Sequence, residues 1–351
     1  MVDKTLRTAE DIGDAGLVSE SDVAALSDVA SRYAVAITPT MADLIDAADP
    51  DDPIARQFVP QPAELRNERN ERADPIGDDA HSPVEGLVHR YPDRVLLKLV
   101  HVCAVYCRFC FRRTMVGPGK RKTLSPAALA TALDYVRAHP EVWEVILTGG
   151  DPLMLSPARL AAVMDALHKI DHVKVVRVHT RIPAVEPKRI TRALVDALRA
   201  PGKATYVVLH ANHARELAPA AVAACGRLID AGIPMLSQSV LLRGVNDTPA
   251  ALGDLMRALV EARIKPYYLH HGDLAPGTAH LRTSIADGRA LMQQLQASHS
   301  GLCQPQYVLD IPGGHGKSPI GPEYLSSTPD GHYRIRDFRG TSHRYRDTKR
   351  K

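Results

Sequence analysis

From Arg94 onward, short apolar runs alternate with amphipathic helical stretches, and this rhythm constrains the fold more than any other feature of the chain. Strands are expected at 95–102, 142–147, 173–178, 205–209, 235–240 and 267–270, with helices at 126–138, 157–170, 187–198, 214–231 and 250–262. Apolar strands separated by helices of about 10–15 residues read as a parallel sheet covered on its outer face. Six such units give an α/β fold, a partial (β/α)6 barrel. Chemistry in such barrels sits at the C-terminal ends of the strands. Cys103, Gly149, Gly150, Asp151, His179, His210, Gln238 and Asp273 all fall at or just beyond an expected strand end.

Around this barrel (91–300), residues 1–90 read as an N-terminal helical region with a connector, and 301–351 as a C-terminal segment with a basic tail. Ser19 and Ser21 precede apolar positions at helical spacing, and the stretch DAADPDDP (46–53) breaks the pattern. The stretch NERNERADPIGDDAHSP (67–83) is nearly devoid of apolar residues and reads as an exposed connector. The tail RIRDFRGTSHRYRDTKRK reads as a solvated, partly disordered end. Lys and Arg number 44 against 40 Asp and Glu, a net charge of +4, so the surface is mixed and gives no argument for nucleic acid. The polar start MVDKTLRTAEDIGDAG and the lack of an apolar run near about 18 residues argue against a signal peptide or membrane span and point to a cytoplasmic setting.

Three of the five cysteines form Cys103-x3-Cys107-x2-Cys110, so one short loop supplies three thiolates. Cys225 and Cys303 stand alone. Disulfide frameworks belong to small secreted domains. Structural zinc wants four ligands, usually as two separated pairs, and no second pair exists here. Iron–sulfur clusters are held by cysteine thiolates, normally four; three on a [4Fe-4S] cluster leave one iron open to a small molecule. The spacing resembles that of the radical S-adenosylmethionine (SAM) enzymes. That resemblance implies SAM on the open iron, cleaved by a cluster electron to methionine and a 5′-deoxyadenosyl radical. Phe109, before the last cysteine, matches the aromatic that packs near the adenosyl group.

A second constellation is Tyr307-Val-Leu-Asp310-Ile-Pro312-Gly-Gly-His-Gly316-Lys317-Ser318. GKS invites a phosphate-loop reading, but Ile311 stands where that motif needs glycine. A lysine in a glycine loop after an apolar strand also suits a Schiff base with pyridoxal phosphate (PLP), or is simply a surface lysine in a turn. With YPDRVLLKLVHVCAVYCRFCFRR, LTGGDPL, HTRIP, LHANH, QSVLLRGVND, DLAPGTAHLRT and DIPGGHGK in order, residues 88–319 resemble the lysine 2,3-aminomutase family, radical SAM enzymes that also carry PLP.

The resemblance implies the cluster on Cys103, Cys107 and Cys110, and SAM contacts from Gly149, Gly150, Asp151, His210 and Gln238. It implies Lys317 as the Schiff-base lysine, Arg94 on the PLP phosphate, and Arg112 on the substrate α-carboxylate, which a guanidinium can grip with two donors. Asp273 and Asp310 match the aspartates that receive the ε-ammonium of lysine; two carboxylates suit a cation and repel an acidic side chain. His315 interrupts glycines that the family often has in this loop. Thr248 stands where longer members carry a zinc-ligating cysteine, and the tail has none, so no zinc is expected and a homodimer is the assembly to test. The implied activity is an isomerase reaction, interconversion of L-lysine and L-β-lysine by 1,2-amino migration, with a one-electron donor such as flavodoxin or ferredoxin. The same chemistry serving a lysine of elongation factor P, and a non-catalytic iron–sulfur protein, are the competing readings.

Overall fold

A computed structural model describes residues 2–117, 122–199 and 202–348. Its centre is a nine-stranded sheet whose spatial order follows the chain. The strands are β1 (Leu87–Tyr91), β2 (Arg94–Val100), β3 (Glu144–Gly149), β4 (Val175–Thr180), β5 (Ala204–His210), β6 (Met235–Val240), β7 (Lys265–His270), β8 (Gln306–Asp310) and β9 (Lys317–Pro319). β2 to β8 run parallel, while β1 and β9 flank them antiparallel. The six expected strands are present, and the sheet is a partial barrel with β1 and β9 as its edges.

The helices begin with a repeated device. Ser125, Ser156 and Thr248 each accept from a backbone N–H three residues on (3.1, 3.4 and 3.2 Å), and proline occupies the next position. A hydroxyl satisfies an orphan donor there, and proline has no N–H to leave unpaired. Two expected helices are broken, the second by proline. The stretch 187–198 is a single turn, Pro187–Arg189, then a new helix, Arg192–Leu198, capped by Thr191. The stretch 214–231 is a turn, Ala214–Glu216, followed by Pro219–Asp230, because Pro219 cannot sit inside a helix.

Three features depart from expectation. A further helix, Ile285–Ser298, opens on a Ser284/Asp287 capping box and leads into β8, so β8 joins the parallel sheet as a seventh strand. The connector 67–83 is not exposed throughout: Pro75–Asp78 turn inward, with Ile76 5% and Asp78 2% exposed. Gly77, at φ +70°, lies so close to the loop before Lys317 that a Cβ there would meet the Gly314 nitrogen at 2.3 Å. The basic tail forms a second antiparallel sheet of β10 (Leu325–Ser327), β11 (Tyr333–Arg336) and β12 (Ser342–Tyr345). Its Tyr-Arg-Ile-Arg alternation is a strand pattern of period two; the density of arginine masked it.

Glycine fixes the approach of β3 to the cysteine loop. Gly150 N–H donates to the Val100 carbonyl at 2.5 Å, and Asp151 N–H to that of Val102 at 3.0 Å. A Cβ on Gly150 would lie 2.3 Å from the Val102 oxygen and 2.7 Å from its nitrogen. Backbone cannot yield as a side-chain tip can. Gly150→Ala is therefore expected to cost about 1–3 kcal/mol and to reduce iron uptake, measured by denaturant midpoint and bound iron; a parent-like midpoint with full iron would contradict this.

Candidate active site

Inside the barrel, register alone places the polar residues on one face. His210 pairs with Gln238, Val240 with His270, and His179 with Val208, two residues before His210. The alternate residues Val178, Leu209 and Leu269 are fully buried on the opposite, helix-covered face. His179, His210, Gln238 and His270 thus line the interior, and Gln238 Nε2 approaches His179 Nδ1 at 3.4 Å. Burial, aided by neighbouring arginines, pushes His179 and His210 well below the usual imidazole range, so both are neutral. Their Nε2 atoms are buried with no protein partner. Orphaned polar atoms of this kind call for a ligand or water.

The cysteine loop follows β2. The three cysteines are unpaired and half-buried as residues, with their thiols enclosed. Burial and mutual proximity push Cys103 well up, and Cys110 to about 11. Among the described residues no three His, Cys, Asp or Glu side chains gather closely enough for one metal ion, whereas a cluster spreads its ligands over separate irons. Phe109 packs against His210 with ring centroids 5.7 Å apart. Asp151 caps the turn at Leu153 (3.0 Å) and accepts from Thr180 Oγ1 (2.7 Å) and Arg181 N–H (2.7 Å), so its carboxylate locks the end of β3 to that of β4. Cys225 lies apart in the core, pushed by burial to about 12.

The arginines of this loop are the part least visible in sequence. Arg108 forks onto Glu64, with Nε 2.9 Å from Oε1 and Nη2 2.5 Å from Oε2, and Arg113 joins the same carboxylate. Arg112 Nη2 contacts Asp78 Oδ2 at 2.8 Å, and Arg90 Nη2 contacts Asp78 Oδ1 at 2.9 Å. Lys98 lies near the same carboxylate, and burial lowers its own pKa. Burial would raise Asp78, but Arg112, Lys98 and Arg90 outweigh it and hold the carboxyl low. Arg112, Arg90 and Lys98 thus gather around Asp78, with Asp74 and Asp79 also near Lys98. Asp78, Arg90 and Lys98 escaped notice because an isolated acid in a polar stretch carries no spacing signal.

β8 and β9 pair Asp310 with Lys317. Lys317 Nζ lies 2.8 Å from Asp310 Oδ1, and His270 Nδ1 lies 3.4 Å from Oδ2. Burial opposes ionisation of Asp310, but His270 and Lys317 outweigh it and hold the carboxyl well below the usual range. Asp273 goes the other way: burial, then the nearby charge of Asp310, push it up to about 7. Arg94 stands at the opposite end of β2 from the cysteine loop, paired with Asp93 at 2.7 Å. Tyr91 links it to the lysine loop: the Arg94 guanidinium lies 3.7 Å from the Tyr91 ring centre, and the Tyr91 hydroxyl accepts the Lys317 N–H at 2.6 Å.

An inward-facing half-barrel with a three-cysteine loop at the strand ends defines a radical SAM fold, and known proteins agree. The radical SAM superfamily matches residues 97–256, and a C-terminal lysine-2,3-aminomutase family matches residues 292–351. The chain is 40% identical over 306 residues to L-lysine 2,3-aminomutase of Clostridium subterminale, covering 87% of this chain and 73% of that one. It is 38% identical over 288 residues to L-lysine 2,3-aminomutase of Escherichia coli K12 (82% and 83%) and 35% identical over 315 residues to glutamate 2,3-aminomutase of Clostridioides difficile (90% and 74%). The chain belongs to the lysine 2,3-aminomutase family. Membership brings a [4Fe-4S] cluster, SAM and PLP. The donor set suits them: three thiols in one loop, neutral imidazoles with free nitrogens, and a lysine beside a carboxylate at the barrel mouth. No helix among the described residues is long and apolar enough to cross a membrane.

A testable consequence concerns Asp273. Its folded pKa is raised above the unfolded value of 3.8, so between about pH 4 and pH 7 the folded state holds the extra proton. Stability contributed there is lost as pH rises through about 7. Denaturant midpoints should therefore fall from pH 5 to 8 more steeply in the parent than in Asp273→Asn; parallel profiles would contradict the shift.

Proposed function

We infer that this protein interconverts L-lysine and L-β-lysine by moving the amino group between C2 and C3. The observation that carries the reading is the polarity of the barrel mouth. Arg112, Arg90 and Lys98 gather around Asp78, and two further carboxylates, Asp273 and Asp310, gather near Lys317. An amino acid with a second positive charge at its far end is complementary to that pattern.

Bound cofactors supply a hydrogen-abstracting radical and an electron sink for the migrating nitrogen; the chain supplies position. Arg112 is held by Asp78 and touches Thr148 Oγ1 through Nη1 (3.5 Å), which leaves one N–H on each of Nη1 and Nη2 for an α-carboxylate. Asp310 already holds one ammonium, that of Lys317. With PLP bound, Lys317 would hold the cofactor, and Asp310, with Asp273 near it, would be placed to receive the substrate's ε-ammonium. His179 and His210, neutral and unpartnered at Nε2, offer hydrogen bonds without adding charge. Gly149, Gly150 and Asp151 bring backbone to the cysteine loop, and Gln238 and His210 line the interior between; these are the SAM contacts we propose. Arg94 stands one tyrosine ring from the lysine loop as the PLP phosphate contact. A one-electron donor such as flavodoxin or ferredoxin, a homodimer and a cytoplasmic setting complete the proposal.

Replacing Asp310 or Asp273 by Asn leaves the ε-ammonium short of a partner. Breaking a buried pair costs about 3–5 kcal/mol, and about 1.4 kcal/mol is tenfold. An anaerobic assay with SAM, PLP and dithionite should show kcat/KM for lysine falling by roughly two to three orders of magnitude, with uncoupled SAM cleavage less affected. Glutamate should react poorly with the parent, since its carboxylate meets both aspartates. Turnover of free lysine by both variants at the parent rate would show the pocket misassigned. Reaction only with a lysine of elongation factor P would replace the substrate.

A further inference from the structure

We propose that Arg181 is a positioning residue for the iron–sulfur site, its guanidinium donating to Sγ of Cys107 and thereby tuning the cluster's reduction potential. Arg181 follows β4, and its Nη1 lies 2.9 Å from the Cys107 sulfur. The side chain is 7% exposed. Phe58 and Phe109 lie 4.9 and 5.7 Å from the guanidinium carbon, so the contact is made in apolar surroundings.

The arginine's backbone N–H and Nη2 are also held, while its Nε is buried without a partner. Its backbone N–H donates to Asp151 Oδ2 at 2.7 Å, and Nη2 donates to Gln57 Oε1 at 3.1 Å and to Glu216 Oε2. Glu216 is itself held by the N–H groups of Asn212 (2.8 Å) and His213 (3.0 Å) and by Gln57 Nε2 (3.1 Å). Asn212 Nδ2 in turn donates to Gln57 Oε1 at 3.0 Å. Pairing with Glu216 alone would satisfy the buried charge; the extra donor aimed at a sulfur is what the pairing does not require. A hydrogen bond to a ligand sulfur stabilises the reduced, more negative cluster and raises its potential. Glu216 offsets part of the arginine's charge, so its removal should act in the opposite sense to removal of the arginine. The inference rests on Cys103, Cys107 and Cys110 holding the cluster.

The test uses the reconstituted protein carrying 15N-arginine, reduced with dithionite. Iron and sulfide are counted first, then pulsed EPR records nitrogen coupling and a titration gives the potential. The parent should show a 15N coupling that Arg181→Lys abolishes while keeping its iron. The potential should fall in Arg181→Lys and in the Arg181→Gln/Glu216→Gln pair, and rise in Glu216→Gln alone. A merely structural role does not produce shifts of opposite sign. A parent without cluster iron overturns the cluster reading and this role with it. A parent with its cluster but no 15N coupling, or unchanged potentials in the variants, overturns the role of Arg181 alone. If the arginine variants do not fold, the parent coupling and the shift in Glu216→Gln decide the matter.

Discussion

The cysteine loop carries three arginines, and the need to pair their buried charges organises much of the barrel mouth. A lone buried cation is expensive, so Arg108, Arg112 and Arg113 each require an acid that the loop does not contain. Glu64 and Asp78 supply it from the N-terminal region, at full or near-full burial. That region therefore closes the barrel electrostatically as well as by covering it. Burial would raise Glu64, but Arg108 and Arg113 outweigh it and hold the carboxyl low.

The same segment reaches the other half of the site. Gly77 packs against the glycine loop before Lys317, while Asp78, the next residue, holds Arg112. One short stretch thus touches both the proposed anion clamp and the loop that carries the lysine. Tyr91 makes a parallel link, from Arg94 on one side to the Lys317 backbone on the other. The two edges of the open sheet, β1 and β9, are joined by these side chains and not by a strand ladder. A half-barrel leaves its interior accessible across such a seam, which suits a site that must admit several groups at once.

Sequence made the repeating units legible because apolar runs and Ser-Pro or Thr-Pro helix starts are local signals. It also marked Cys103, Cys107, Cys110, Lys317 and the strand-end histidines, whose spacing or placement is distinctive. The structure adds what lies far apart in sequence: Glu64 with Arg108, Asp78 with Arg90 and Arg112, Arg181 with Cys107. None has a period or motif to announce it. The connector 67–83 differs for a related reason, since low apolar content normally means exposure, and only the arginines elsewhere in the fold make a buried Asp78 intelligible. The helix Ile285–Ser298 was missed because only Leu291, Met292 and Leu295, with Gly288, form its buried stripe.

The central claim is that the lysine loop and the cysteine loop serve one cavity, with Lys317 as the residue that takes PLP. The structure supplies a real competitor in Lys98, inward on β2, 6% exposed and with its pKa lowered by burial against the pull of Asp78. Borohydride reduction of the PLP-loaded protein, followed by mass analysis of its peptides, separates the two. The reduced pyridoxyl group is expected on Lys317 and is lost in Lys317→Ala; the group on Lys98, or on any other lysine of the parent, would contradict the assignment of Lys317.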